Sequence, residues 1–306
     1  MARLVLLAAC ALPLAACSVR SVALSGIADL LQRSSLAYAQ DDDPELIEDA
    51  LPFLLKTVEG LLLEDPTDQE LLLVASSGYA SYAQAFVAEP ADLLEEDDLQ
   101  GARRQRRRAG RLFLRARGYG LRALEAAYPG MASTLESDPT AALARARRQD
   151  VPLLFWIGAA WAGAINVSRD EMDLVADLDI ADAILQRANE LDPGWDQGSI
   201  HELLIAIEAA RSGGQGGSLE AAREHFEAAV RLSGGRRVGP WVQLAESVHV
   251  REQNLTEFTD LLERALAFDL ESAPEARLAN TLAQRKARWL LGRRAHLFVE
   301  FEEDEE

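Results

Sequence analysis

Apolar and polar positions follow a helical period through most of the chain. Residues 44–64 place Leu, Ile, Val and Ala at three- and four-residue intervals and stop at Asp65-Pro66. Similar patterns predict further helices at 69–87, 112–128, 139–148, 199–211, 219–232, 240–252, 255–268 and 274–294, and one that ends at Leu191. No segment alternates apolar and polar residues with β-branched enrichment, so the pattern predicts an all-α fold.

The stretch 151–167 is the most apolar part of the folded body and carries no charge. It is short for a membrane span, which needs about 20 apolar residues, and it is rich in small residues. On a helical wheel, Leu154, Ile157 and Trp161 fall on a bulky side, whereas Gly158 and Gly163 fall on a small side. A helix that is apolar all round is buried on all sides. We therefore expect the other helices to surround this one, with a close neighbour on its small side.

Helix stop signals recur along the chain at Asp65-Pro66, Tyr128-Pro129, Asp192-Pro193, Ser233-Gly234 and 269–272. The shorter spacings approach the 34 residues of a tetratricopeptide repeat, and the longer ones are about twice that length. The full repeat consensus is met nowhere. The spacing predicts degenerate tetratricopeptide-like helix-turn-helix repeats, stacked around the central apolar helix with a concave face or pore.

The first residues have the layout of an export signal. One Arg precedes a short apolar run that ends in Leu14-Ala15-Ala16-Cys17, which fits a bacterial lipobox. We interpret 1–16 as a lipoprotein signal peptide, Cys17 as the lipidated residue and 17–43 as a tether; the alternative is a plain signal peptide cut nearby. Ser18 follows Cys17 in place of the Asp that retains lipoproteins at the inner membrane, which favours an outer-membrane anchor facing the periplasm. The only other cysteine is Cys10, so the body has no disulfide or cysteine nucleophile.

Charge excludes one broad class of function. The net charge is −19, which argues against general nucleic-acid binding, because such binding depends on cationic neutralisation of phosphates. Residues 89–100 are acidic and 103–108 are basic. This insertion is either a solvated hairpin or helix extension with internal ion pairs, or a docking patch. The single folded domain is expected to span 44–300, before an acidic disordered tail at 301–306.

The aromatic residues are the strongest candidates for a binding site. Tyr79, Tyr82 and Phe86 lie on one face of the helix at 69–87, and Trp156 and Trp161 lie in the central helix. Such a group suits a largely apolar channel with a few polar handles. Ordinary core packing is the alternative for any one of them.

Four polar residues are candidates for seams between helices, namely His201, Glu202, His225 and Glu246. Together with His249 they could in principle bind a metal. No pair has the i, i+4 spacing and HExxH is absent, so we predict no metal site and no cofactor. We also find no nucleophile elbow, phosphate loop or dinucleotide fingerprint, and we assign no catalytic residue.

Several segments, in this order and spacing, resemble the T-component (TatT) family of tripartite ATP-independent periplasmic (TRAP) transporters. They are DPEL (43–46), ALP (50–52), YASYAQAF (79–86), RARGYGLR (115–122), FW (155–156), AW (160–161), IHE (200–202), HF (225–226), AE (245–246) and QRKARWLL (284–291). The loop at 212–217 and the tail depart from the family pattern.

The resemblance implies a periplasmic lipoprotein of cryptic repeats that forms a homo-oligomer, with a pore through each subunit. Its partner would be the solute-binding P-component, its cargo a small hydrophobic organic ligand, and it would not be an enzyme. We therefore expect an accessory subunit of a TRAP-type uptake system. The alternative is an outer-membrane lipoprotein scaffold for envelope protein assembly.

Overall fold

The structure, a computed structural model, describes residues 36–211 and 217–299. The predicted signal peptide, Cys17, the first part of the tether and the acidic tail lie outside the described residues. Within the described ranges the protein is built from helices and contains no strand, so the all-α prediction is confirmed. The repeat and pore features stay predictions.

The α-helices follow one another along the described chain. They are α1 (Pro44–Leu62), α2 (Gln69–Ala83), α3 (Glu89–Leu94), α4 (Leu99–Ala127), α5 (Met131–Ser137), α6 (Pro139–Leu143), α7 (Val151–Val167), α8 (Met172–Val175), α9 (Leu178–Leu191), α10 (Ser199–Arg211), α11 (Leu219–Ser233), α12 (Gly239–Leu244), α13 (Val250–Glu252), α14 (Leu255–Leu266), α15 (Arg277–Gly292) and α16 (Arg294–Leu297). Two π-helical turns interrupt this series. The first, Gln84–Ala88, joins α2 to α3, and the second, Ala245–His249, joins α12 to α13.

Aspartates begin several of these helices. Asp43, Asp68, Asp98 and Asp138 each accept a hydrogen bond from the backbone N–H three residues later, at distances of 2.7–3.0 Å. Such caps satisfy backbone donors that the first turn leaves without a partner and favour the helix dipole. The acidic and proline-containing segments that end one helix in the sequence therefore also supply the residue that caps the start of the next helix.

The central position of α7 rests on close contacts along its small side. It packs against α4, α9 and α2. A Cβ at Gly163 would lie 2.5 Å from the ring of Phe113 on α4, and one at Gly158 would lie 2.6 Å from Leu185 on α9. The glycines thus let two neighbouring helices approach closely, as the arrangement of small residues predicts.

The apolar side chains form two main cores. The larger one takes residues from α1 through α10 and contains α7, whereas the second is formed by α12, α14, α15 and Phe298. Helix α15 contributes to both, because Leu278 and Leu282 pack on the first core while Ala287 and Leu290 belong to the second. The junction of the two cores therefore lies along α15.

Two helical stretches, Gln69–Leu94 and Arg148–Val167, are long and apolar enough to cross a membrane by composition alone. Most of the apolar window of each is packed inside the protein. Buried core helices pass the same compositional test, and these two contribute to the larger core.

Candidate functional site

The two π turns face the same side chain, Lys286 on α15. Glu246 lies in the second π turn, and its Oε2 is 2.5 Å from the Lys286 Nζ. Glu89 is the first residue after the other π turn and accepts a hydrogen bond from Gln84 Nε2 at 3.2 Å. Because π turns occur often at functional sites, two of them beside one lysine mark this junction as a candidate site.

Charge and burial oppose each other in this cluster. Burial disfavours the ammonium of Lys286, but the carboxylates of Glu246 and Glu89 outweigh it and raise the pKa of the lysine. Burial raises the pKa of Glu89, against the lowering effect of Lys286 and of the Gln84 amide. The lysine therefore stays charged at neutral pH, pairs with Glu246 and attracts the carboxylate of Glu89 through space.

A cavity of about 60 Å³ adjoins this cluster. Its apolar wall consists of Ala85, Pro90, Leu93, Leu282 and Trp289, and its charged wall of Glu89, Asp92, Arg285 and Lys286. Leu93 is 47% exposed, so the cavity reaches the surface. A mostly apolar wall with a few polar groups is typical of small-molecule sites. The volume is less than the roughly 150 Å³ that encloses a benzene-sized guest, so this conformation would hold one end of a ligand.

Ion pairs fix the charged wall of the cavity. Arg285 Nη2 lies 2.6 Å from Glu45 Oε1 on α1. Asp92 on α3 pairs with Arg106 on α4 at 2.8 Å, and Arg106 also binds Glu95 at 2.8 Å. Arg106 in the basic part of the insertion thus pairs with Asp92 and Glu95 in its acidic part, as the first of the two alternatives considered for it expects. The cavity wall is thereby tied to α1 and α4.

The five aromatic residues proposed for a channel occupy separate environments. Tyr79 stacks on Tyr119 with ring centroids 5.9 Å apart, and Tyr82 lies 5.8 Å from Phe86. In the central helix, Trp156 is partly buried and its ring centroid lies 5.0 Å from that of Phe155. Of the five, none lines the cavity beside Lys286. Their role in a channel stays a prediction.

Two of these aromatics belong to polar networks instead. Tyr119 Oη donates to Glu59 Oε1 at 2.7 Å, and Arg115 pairs with the same carboxylate while its guanidinium lies 4.9 Å from the Tyr79 ring centre. Burial and the nearby Glu59 raise the pKa of Tyr79. Trp161 Nε1 donates to Asp177 Oδ2 at 3.1 Å. These contacts fix the aromatic rings within the fold.

The four polar seam residues fall into three places. The Nδ1 atoms of His201 and His225 are 2.8 Å apart, between α10 and α11. Burial, and to a lesser extent His225, lowers the pKa of His201 to about 4, and burial lowers the pKa of His225. Glu202 lies near Arg237, with Nε and Oε2 3.3 Å apart. Of the four, only Glu246 belongs to the Lys286 cluster.

Across the described ranges, no three His, Cys, Asp or Glu side chains are grouped closely enough to hold a metal ion. The arrangement around Lys286 instead offers charge and hydrogen bonding beside an apolar wall. The Lys286 amine could act as a nucleophile only after losing its proton, which its raised pKa opposes, so the arrangement suits binding.

Sequence reasoning missed Lys286, Glu89 and Trp289 as site residues. One signal was available, since Lys286 is one of two lysines among 31 basic residues. Three of the segments that carry the sequence resemblance, at 79–86, 245–246 and 284–291, meet at this lysine. Their convergence could be recognised only once the helices had been placed.

Comparison with known proteins agrees with this resemblance. The sequence profile described as "TRAP transporter T-component" matches residues 40–298. An uncharacterized protein of Treponema pallidum (strain Nichols) is 33% identical over 257 residues, which is 83% of this chain and 80% of that protein. The match spans both cores and the Lys286 junction. The chain therefore belongs to the TRAP transporter T-component family, which is a family of transporter accessory proteins associated with the membrane or periplasm and not a family of enzymes.

Proposed function

We propose that the protein is a periplasmic lipoprotein subunit of a TRAP-type uptake system, anchored through Cys17 at the outer membrane. In this proposal a tether at 17–43 presents one folded domain, 44–300, and the acidic tail at 301–306 follows it. The domain binds the solute-binding component and accepts one end of a small, largely apolar organic ligand. Family membership supports the transport role.

The cavity beside Lys286 is the observation that carries the ligand part of the proposal. Leu282 and Trp289 offer apolar surface on one side, and Lys286 with Glu89 offers charge on the other. A ligand with an apolar end and a polar group matches both walls. The cavity also lies where the two cores meet, so a ligand there would contact groups from both.

The partner part is tested by affinity capture. The full chain, purified in mild detergent, is used as bait on an envelope extract, and retained proteins are identified by mass spectrometry. Recovery of a periplasmic solute-binding protein supports the proposal. Recovery of outer-membrane assembly factors without a solute-binding protein would favour the scaffold function instead.

The ligand part is tested by filling the cavity. The wild type, Ala85→Leu in the cavity wall and Ala141→Leu on the exposed side of α6 are purified from cells and examined by native mass spectrometry. We expect a bound small molecule on the wild type and the Ala141 variant but not on the Ala85 variant. If no small molecule is bound to the wild type, the proposed ligand is refuted. If Ala85→Leu retains the bound molecule, the proposed location of the ligand in this cavity is refuted.

A further inference from the structure

Helix α4 carries an unusual concentration of positive charge for so acidic a protein. It contains nine arginines and a single acidic residue, Glu125, in a chain with net charge −19. Its buried residues, among them Phe113 and Ala116, lie on the side that faces the larger core. Arg103, Arg107 and Arg111 are exposed and, at four-residue spacing, lie on the opposite side.

The other six arginines of α4 all have partners within the fold. Arg106 binds Asp92 and Glu95, Arg115 binds Glu59, and Arg117 lies 3.7 Å from Asp177. Arg104 pairs with Asp98 at 3.4 Å, Arg108 donates to Tyr82 Oη at 3.3 Å, and Arg122 donates to the Pro66 carbonyl at 2.7 Å. These contacts explain six of the nine arginines as parts of the packed structure.

Arg103, Arg107 and Arg111 form what we call the arginine stripe. Among residues 36–211 and 217–299, none of the three has a hydrogen bond or an ion pair. Arg103 acts on Glu95 only through space, where it helps to lower the pKa of that carboxyl. With a rise of 1.5 Å per residue, the stripe is about 12 Å long. Like charges at i, i+4 destabilise an isolated helix, so the stripe does not serve the stability of α4.

We propose that the arginine stripe docks an acidic surface of the solute-binding protein, an inference that rests on the function proposed above. Three guanidinium groups in a row on a rigid helix match a row of carboxylates, which arginine can bind in a bidentate manner. The rest of this acidic chain repels such a surface, so the stripe also fixes the orientation in which the two proteins meet.

A protein partner fits this face better than a lipid surface does. Within α4, Leu99 is the only large apolar side chain that is exposed, at 44%, and it lies one turn before Arg103, so this face offers a bilayer little apolar area to bury. The acidic residues 95–98 directly precede the helix, so an extended layer of anionic headgroups would meet them beside the stripe, whereas a patch of carboxylates as long as the stripe need not. Protein carboxylates are therefore the occupant to which the charges point.

The test measures binding of the full chain in detergent to the solute-binding protein of the same transport system. The stripe variant is Arg103→Glu/Arg107→Glu/Arg111→Glu. A control variant, Arg148→Glu/Arg169→Glu/Arg288→Glu, makes the same change in net charge at exposed positions elsewhere. We expect the stripe variant to bind about tenfold or more weakly, with a shallower dependence on salt between 50 and 200 mM, and the control to bind as the wild type does.

The outcomes separate this inference from the proposed function. If the wild type does not bind the solute-binding protein, both the proposed partner and the proposed docking surface are wrong. If the wild type and the stripe variant bind equally, the partner stands and the stripe is refuted. The inference is also overturned if the stripe variant still binds the solute-binding protein as the wild type does but no longer binds vesicles of anionic phospholipid, or if it does so with a changed oligomeric state. Circular dichroism melting of both variants checks that they are folded.

Discussion

Replacement of Lys286 by Met should destabilise the protein although the new side chain is apolar and of similar length. The change leaves Glu246 without its ion-pair partner and removes the cation whose charge attracts Glu89. For the 2.5 Å contact between Lys286 and Glu246, an effective dielectric constant of about 20 gives an attraction of about 7 kcal/mol before desolvation. Most of that attraction is offset by the desolvation of both groups.

The solvent exposure of the two side chains determines how much the ion pair contributes to stability after desolvation. Fully buried pairs lose about 3–5 kcal/mol when one partner is removed, and exposed pairs contribute about 0–1 kcal/mol. The Lys286 side chain is 19% exposed and that of Glu246 is 31% exposed, which places this pair between the two limits. We therefore expect Lys286→Met to lower the free energy of unfolding by about 2 kcal/mol at pH 7.

Urea unfolding followed by circular dichroism measures the loss, with Arg288→Met on the exposed side of the same helix as a control. The double variant Lys286→Met/Glu246→Gln should lose less than the sum of the two single variants, because it removes one of the stranded charges. The loss should also shrink as the pH falls, because protonation of Glu89, whose pKa burial raises, removes a charge that has lost its cation. The electrostatic reasoning would be refuted if the effects of the two single variants add up to that of the double variant, or if the loss of stability does not depend on pH.

Three further changes test the fold and its response to pH. Gly163→Ala should destabilise the protein by about 1–3 kcal/mol in a thermal melt, because the new Cβ would lie 2.5 Å from the Phe113 ring. The control Gly118→Ala should stabilise it by about 0.5–1 kcal/mol, because nothing lies within 4 Å of the new Cβ. Equal effects of the two substitutions would contradict the packing of α7. Trp161→Ala should lower the urea midpoint by the equivalent of about 3–5 kcal/mol because the side chain is 2% exposed, and a near-neutral result would place Trp161 outside the core. The pKa of His201 is lowered from 6.5 to about 4, so the stabilising contribution of the buried neutral imidazole is complete above pH 6.5 and is lost as the pH falls towards 4. His201→Phe should therefore remove up to about 3 kcal/mol of the pH dependence of the free energy of unfolding, measured in urea titrations. An unchanged pH dependence would refute the lowered pKa of His201.

Local signals account for much of the fold. The prediction of a helix at 151–167 agrees with α7 because charged residues, Asp150 and Arg169, bound an uninterrupted apolar stretch. The prediction for 44–64 nearly matches α1, since Asp43 caps its start and Asp65-Pro66 follows its end. In both segments the elements that define the helix lie close together in sequence, where periodicity and capping can be recognised.

The π turns could not be predicted in the same way. The segment 69–87 has the pattern of one continuous helix, yet α2 ends at Ala83 and the first π turn follows. A π turn keeps the backbone helical, and no Gly or Pro within 84–88 marks the change. The side chains that it brings towards Lys286 meet partners from distant helices, which periodicity does not report. The candidate site thus depends on tertiary packing that local patterns do not determine.

The cavity and the arginine stripe meet at one ion pair, which gives the two proposals a common physical basis. Asp92 lines the cavity and binds Arg106, the residue that precedes Arg107 of the stripe on α4. Both partners are partly exposed, with side-chain exposures of 26% and 35%, so water can replace this pair at less cost than apolar packing. A partner that draws the stripe towards its carboxylates would act on Arg106, and a ligand in the cavity would act on Asp92. Binding at the two places would then be linked, and linkage requires that the ligand change the affinity for the partner by the same factor as the partner changes the affinity for the ligand.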